Sequence, residues 1–202
     1  MKTFLYIAFI SLFICSCGNK HARDGHIFCS CPHATICFQP YGSFTEQEVK
    51  RFLPALQKNM EKYLGGGEWS FEIRKPVPLP IKPVVGRKHK ALDLLDILRD
   101  EQTDDDQVII GLTHEDLCDD IHGVKNYGII GLSYLGGGVS IVSDKRLKNK
   151  SAVWKTVIHE FCHAFFSADH CPNDDPTCMM ADAHKHKNFA IQNRLCESCK
   201  FD

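Results

Sequence analysis

Ser151-Ala152-Val153-Trp154-Lys155-Thr156-Val157-Ile158-His159-Glu160-Phe161-Cys162-His163-Ala164-Phe165-Phe166 is the stretch of the 202-residue chain from which the rest can be read. Apolar residues recur at 153, 154, 157, 158, 161, 162 and 165, the spacing of a helix, and Ser151 is the expected N-cap. On such a helix His159 and His163 stand four apart and share one face. Two imidazoles so placed can direct their nitrogens at one Zn²⁺ at about 2.0–2.1 Å. Glu160 then lies beside the ion, where a carboxylate can accept a proton from metal-activated water. An ordinary helix can also carry two surface or core histidines, so the pattern has to be weighed with its surroundings.

Downstream, His170-Cys171 follows the helix, Cys178-Met179-Met180 comes next, and Cys196-Glu197-Ser198-Cys199 lies near the chain end. The last pair has the C-x₂-C spacing by which one turn of chain supplies two thiolates to a tetrahedral ion. Cys171 and Cys178, with six residues between them, form a looser pair. Two disulfides among these four are the competing reading in an exported protein. Met180 taken alone reads as core packing.

Upstream, Ala34 to Phe38 is a β-branched and aromatic run, and Thr45 is placed to cap a helix from Glu46 to Leu64 with Phe52, Leu53, Leu56 and Met60 inward. Gly65 to Gly67 stops it. Trp69 to Ile73 alternates as a strand does, Pro76 to Pro83 must be extended loop, and Ala91 to Leu98 has helical spacing. Gln107 to Leu112 reads as a buried strand, and Tyr127 to Leu135 and Val139 to Val142 as two strands joined through Gly136-Gly137-Gly138. The succession indicates an α/β fold with a mixed sheet. His114, Glu115 and Asp116 read as a solvated turn, and His184 and His186 as exposed.

Lys2 followed by the apolar run Phe4 to Ile14 has the form of a signal peptide, and Ile14-Cys15-Ser16-Cys17 resembles a bacterial lipobox whose last cysteine, Cys17, is lipidated. The expected organisation is a signal peptide over 1–17, a polar tether over 18–25 and one catalytic domain over 26–202. The protein is then exported and held as a bacterial membrane-anchored lipoprotein, in the periplasm or at the cell surface, through its N-terminal lipid. Eleven cysteines agree with an oxidising compartment, thiolate metal ligation, or both, and Cys29, Cys31, Cys37 and Cys118 lack metal spacing. A formal net charge of −1 with no basic stripe gives no support for nucleic-acid binding, and a monomer is expected.

The block from His159 to Cys199 resembles the archaemetzincin family, whose signature is an H-E-x-x-H helix, a third His followed at once by Cys, then C-x-M, then C-x-x-C. Ile110 to Thr113 with Asp116 is similar to the family's strand and loop before the helix, and Gly138 to Ser143 with Arg146-Leu147 is similar to its edge strand. The resemblance covers roughly residues 105 to 200. It implies a metzincin-like mixed β-sheet with an active-site helix, a Met-turn at Met180, and a small C-terminal subdomain stabilised by zinc. It further implies two zinc ions, one catalytic and held by three histidines, one structural and held by Cys171, Cys178, Cys196 and Cys199. The family glycine seven residues after the first His is Phe166 here, the third His is one residue further on, and Cys178 is displaced. Asp169 therefore holds the usual count for the third ligand and His170 the usual neighbour. His170 is preferred, because Phe166 enters a left-handed turn only at a steric cost and an added residue allows another route.

The function expected is peptide hydrolysis, with Glu160 as general base and a peptide or protein as substrate, aligned along the strand Val139 to Val142. The alternative is a catalytically silent, zinc-stabilised surface binding module, and Glu160 argues against it, since such a module needs no carboxylate beside the metal. A hydrolase for a non-peptide amide is a third reading. Cys162 reads as a small buried residue without a catalytic role.

Overall fold

The computed structural model describes residues 32–202 except 66, 104–106, 122, 184–188 and 202. The expected signal peptide, lipidation residue Cys17, tether and start of the domain at residue 26 lie outside the described residues, as do Cys29, Cys31, His184 and His186. Among the described residues no helix is long and apolar enough to cross a membrane.

The strands and helices are β1 (His33–Pro40), α1 (Glu46–Leu64), β2 (Glu68–Ile73), β3 (Lys88–Lys90), α2 (Ala91–Asp100), β4 (Gln107–Thr113), β5 (Asp116–Ile121), β6 (Val124–Ile129), β7 (Gly131–Ser133), β8 (Val139–Ser143) and α3 (Val153–Phe166). The main sheet runs β2-β1-β4-β8-β7, with the first four strands parallel and β7 antiparallel to β8. A smaller sheet, β3-β5-β6, lies beside it in the chain order. Side chains alternate across the main sheet as the pleat requires. Ile36, Phe38, Val108, Ile110, Leu112 and Val142 join the core under α1 and α3, while Cys37, Ile109, Val139 and Ile141 join a second core with Leu94, Leu95 and Leu98 of α2.

Thr45 caps α1 as expected. Its hydroxyl accepts from the Glu48 amide and the Glu48 carboxylate accepts from the Thr45 amide, a reciprocal capping box. The buried stripe is Val49, Phe52, Leu56, Met60 and Leu64, so Leu53, expected inward, is only partly buried at its margin.

Four expectations are corrected. The stretch Tyr127 to Leu135 is not one strand: it breaks at Ile130, β6 pairing with β5 in the small sheet and β7 with β8 in the main one. Val139 to Val142 is not an edge. It lies between β4 and β7 with every residue buried, the β8 serines Ser140 and Ser143 donating to the Glu160 and Glu115 carbonyls, and β7 is the edge. Ser151 does not cap the active helix. Asn149 accepts from the amide and hydroxyl of Ser151 and caps a 3-10 turn over Lys150–Ala152 that leads into α3. His114 is not solvated, since its Nδ1 meets Asp144 at 2.8 Å, its Nε2 meets Glu48 at 3.2 Å, and its ring stacks on Phe44. Asp116 is held by Arg146 through two bonds of 2.7 and 2.9 Å.

The glycine turn between β7 and β8 also serves α3. The Gly136 and Gly138 amides donate to the carbonyls of His163 and Ala164 at 2.9 and 3.1 Å, satisfying groups that the end of a helix leaves open. Gly136 has φ of 62°, and a Cβ there would stand 2.2 Å from the Ser167 hydroxyl. Gly136→Ala is therefore expected to lower unfolding stability by about 1–2 kcal/mol, the cost of a left-handed L-residue, read as a shift in the denaturant midpoint. A midpoint equal to that of the parent protein would show that the left-handed backbone at position 136 carries no such cost.

Candidate metal centre

α3 is buried on nearly its whole circumference, from Thr156 through Ala164, so His159, Glu160 and His163 all sit in the core. Burial drives the His159 imidazole toward its neutral form and lowers its pKa to about 3. The same burial raises the Glu160 carboxyl, opposed by His163 and by a hydrogen bond from Ser133.

Two backbone carbonyls set the tautomers. Nδ1 of His159 lies 2.7 Å from the Met179 carbonyl, and Nδ1 of His163 lies 2.5 Å from the Ala168 carbonyl. A carbonyl only accepts, so each Nδ1 carries its ring's proton and each Nε2 is left with a lone pair. Those two Nε2 atoms face each other at 3.0 Å. Two lone pairs so directed repel, and a cation held by both turns the repulsion into attraction. A tetrahedral zinc with bonds of about 2.0–2.1 Å would separate two nitrogens by about 3.3 Å, close to the observed distance.

His170 completes the group. Its ring centroid is 5.3 Å from that of His159 and 4.9 Å from that of His163, and the three residues offer ligand atoms within 4.8 Å of one another. Asp169 is exposed and is not part of that group. The chain reaches His170 through a left-handed turn. Phe166 stays in the helix, stacked on Phe201 with centroids 4.2 Å apart and set edge-on to Trp69. Ser167 takes the left-handed conformation instead, with φ of 53° and ψ of 29°, and its amide donates to the Cys162 carbonyl. The left-handed turn thus falls at Ser167, the residue after Phe166.

Cys171, Cys178, Cys196 and Cys199 are buried and place their sulfurs within 4.8 Å of one another. All four are free thiols. The Cys171 and Cys196 sulfurs are 3.5 Å apart, far longer than a disulfide of about 2.05 Å and near the roughly 3.8 Å separating thiolates around a tetrahedral zinc. The donor set therefore fits a metal ion and not the pair of disulfides. Cys37, Cys118 and Cys162 are also free and buried.

Short hydrogen bonds tie the two groups together. The Cys171 amide donates to the Met180 carbonyl at 2.7 Å, and the Met179 amide donates to the Arg194 carbonyl at 2.8 Å. Met179 thus holds His159 through its carbonyl while standing next to Cys178. Met180 is fully buried and lines, with Asp169, His170 and Lys200, a cleft beside the histidines. Lys155 of α3 donates to the Phe189 and Gln192 carbonyls at 2.8 and 2.7 Å and fastens the C-terminal segment to the helix. Sequence reasoning missed the Met179 and Ala168 carbonyls, since a backbone acceptor has no residue signature. It also missed Ser133, whose hydroxyl donates to Glu160 Oε2 at 2.6 Å from a strand 27 residues away.

No family model matches the chain. An archaemetzincin of Haloquadratum walsbyi is 31% identical over 106 residues, 45% of this chain and 57% of that protein. The chain thus spans little more than half the length of that relative. The crystal structure of archaemetzincin from Methanopyrus kandleri matches the fold with a TM-score of 0.66 at 23% identity, over 83% of this chain and 92% of that one. That of archaemetzincin from Archaeoglobus fulgidus, in complex with malonate, matches with a TM-score of 0.62 at 19% identity, over 82% and 97%. The chain is thus similar in sequence to an archaemetzincin over that stretch, and it shares the fold of the two archaemetzincin structures.

Proposed function

We propose that the chain is a zinc metallopeptidase, with His159, His163 and His170 holding a catalytic zinc and Cys171, Cys178, Cys196 and Cys199 a structural one. The observation that carries the reading is the pair of unprotonated Nε2 atoms facing each other at 3.0 Å beside a buried carboxylate. When bound, the catalytic zinc supplies Lewis-acid polarisation of a peptide carbonyl and of water. Glu160 takes the proton of the attacking water and passes it to the leaving amine. Its dry surroundings favour the protonated form, and the charge of the ion favours the carboxylate, so the base can both accept and release. Met180 forms the floor of the site. The substrate is a peptide or protein chain aligned along β7, the strand at the sheet edge, in place of Val139 to Val142. A silent binding module would have no use for a carboxylate buried at this cost.

Glu160→Gln is expected to retain the metals and the fold and to lose about 10²–10⁴ in kcat on a peptide the parent protein cleaves. In the same assay His170→Ala should weaken zinc binding by more than about 100-fold, beyond the 10–100-fold of an outer-shell partner, while Asp169→Asn stays within that lesser range. Zinc retained by His170→Ala and lost by Asp169→Asn would reverse the ligand assignment.

Elemental analysis of the purified protein should give two zinc ions, the first removed by chelator with the fold intact. The second should be lost only on unfolding, and Cys196→Ser should lower the melting temperature. A count of one, with Cys196→Ser as stable as the parent, would remove the structural zinc.

The chain is further proposed to be an exported lipoprotein, monomeric and anchored by acyl chains on Cys17, without nucleic-acid partners. Cys17→Ala in a bacterial host should release the protein from membranes or leave the precursor unprocessed. An unmodified N-terminus at a later residue, found by mass spectrometry, would contradict the anchor.

A further inference from the structure

The Glu160 carboxylate is held from one side by a single short strand. Ser133 Oγ donates to its Oε2 at 2.6 Å. Two residues earlier, a Cβ on Gly131 would stand 2.4 Å from Oε1, so the space a side chain would fill is taken by the carboxylate itself. Ser140, paired across the ladder with Ser133, completes the support: the two hydroxyls are 2.9 Å apart, and that of Ser140 donates to the Glu160 carbonyl at 3.2 Å. Ser133 Oγ also lies 3.1 Å from that carbonyl, but Oε2 at 2.6 Å is the nearer acceptor, so with Ser140 donating to the carbonyl the single Ser133 proton goes to the carboxylate.

The ladder also fixes where the main chain of β7 points. The Ile130 carbonyl accepts from Ser143 and the Tyr134 amide donates to Val139, so the even residues bond to β8. In an antiparallel strand the intervening residues then aim their amides and carbonyls away from that partner. Gly131 and Ser133 are those residues. Their backbone faces the sheet edge, while the hydroxyl of Ser133 and the open Cα of Gly131 face Glu160.

We propose that Ser133 is a positioning residue for the general base, its hydroxyl fixing Glu160 Oε2 against the bare Cα of Gly131, so that the strand that aligns the substrate also aims the carboxylate. The inference rests on the peptidase reading of the site. Leaving the strand backbone intact, Ser133→Ala removes the hydrogen bond and frees the carboxylate to rotate. A small misplacement of a reacting group is costly, and the expected loss is about 10–100-fold in kcat with KM within about twofold. Ser133→Thr keeps the hydroxyl and should recover kcat to within about threefold.

The test uses the zinc-loaded full chain and two measurements. The first is kcat and KM on a fluorogenic peptide, with zinc content checked in each variant. The second is the affinity of acetohydroxamate, a zinc ligand that gives a hydrogen bond to a carboxylate beside the metal and needs no turnover. Ser133→Ala should weaken its binding by about threefold to tenfold, and should add nothing in a Glu160→Gln background. Overturning results are a kcat unchanged in Ser133→Ala, a loss Ser133→Thr does not recover, or a fall in hydroxamate affinity of equal size with Gln at position 160. Should the parent protein cleave no peptide while the hydroxamate pattern holds, the peptidase reading fails and the positioning role stands.

Discussion

Two imidazoles and a carboxylate buried in the middle of an apolar helix form the constraint to which the rest of the structure answers. Polar groups taken out of water must find partners or pay heavily, and α3 offers none of its own to its side chains. The partners come from segments far away in the chain: Met179 and Ala168 supply carbonyls to the histidines, and Ser133 supplies a hydroxyl to the glutamate. Each acts in one direction only. The carbonyls take the Nδ1 protons and leave the Nε2 lone pairs convergent, while the hydroxyl leaves the carboxylate an acceptor. The site thus presents two convergent lone pairs beside a carboxylate that accepts.

Delivery of those partners accounts for the shape of the C-terminal segment. Beyond α3 the described chain has almost no regular structure, a short 3-10 turn at Glu197–Cys199 excepted, and its buried residues, Met179, Met180 and Leu195 among them, join the core under α1 and α3. Small loop-rich segments of this kind need a staple. Four thiols within 4.8 Å provide the ligand set for one, and the Lys155 ammonium bridging the Phe189 and Gln192 carbonyls adds a second fastening to α3. Because Cys171 follows His170 and Cys178 precedes Met179, anything that fixes the thiols also fixes two of the contacts around the histidines. The two centres are neighbours through the backbone as well as in space.

The turn after α3 illustrates how a departure from a family pattern is absorbed. Phe166, packed on Phe201 and Trp69, is the last residue of the helix, and the left-handed conformation falls on Ser167. A non-glycine residue there carries a steric cost of about 1–2 kcal/mol. The aromatic contacts and the amide bond from Ser167 to Cys162 offset it. His170 then arrives beside His159 and His163, while Asp169 stays exposed and outside that group.

Local pattern alone determined a good deal. Helix periodicity and Thr45 placed α1 with its actual ends, the same periodicity placed α3, and i to i+4 spacing put His159 and His163 on one face, because these depend on residues a few positions apart. The family resemblance brought together His170 and the four cysteines. Only tertiary structure decided the rest. Val139 to Val142 is inside the sheet and Gly131 to Ser133 at its edge because strand order depends on which distant segments pair, and an apolar run reads the same in either place. His114 is held between Glu48 and Asp144, 66 and 30 residues away in sequence, which a reading of its own turn could not detect. The carbonyls of Met179 and Ala168 are common to every residue, so nothing in the sequence marks them until the fold brings them within 2.7 Å of an imidazole.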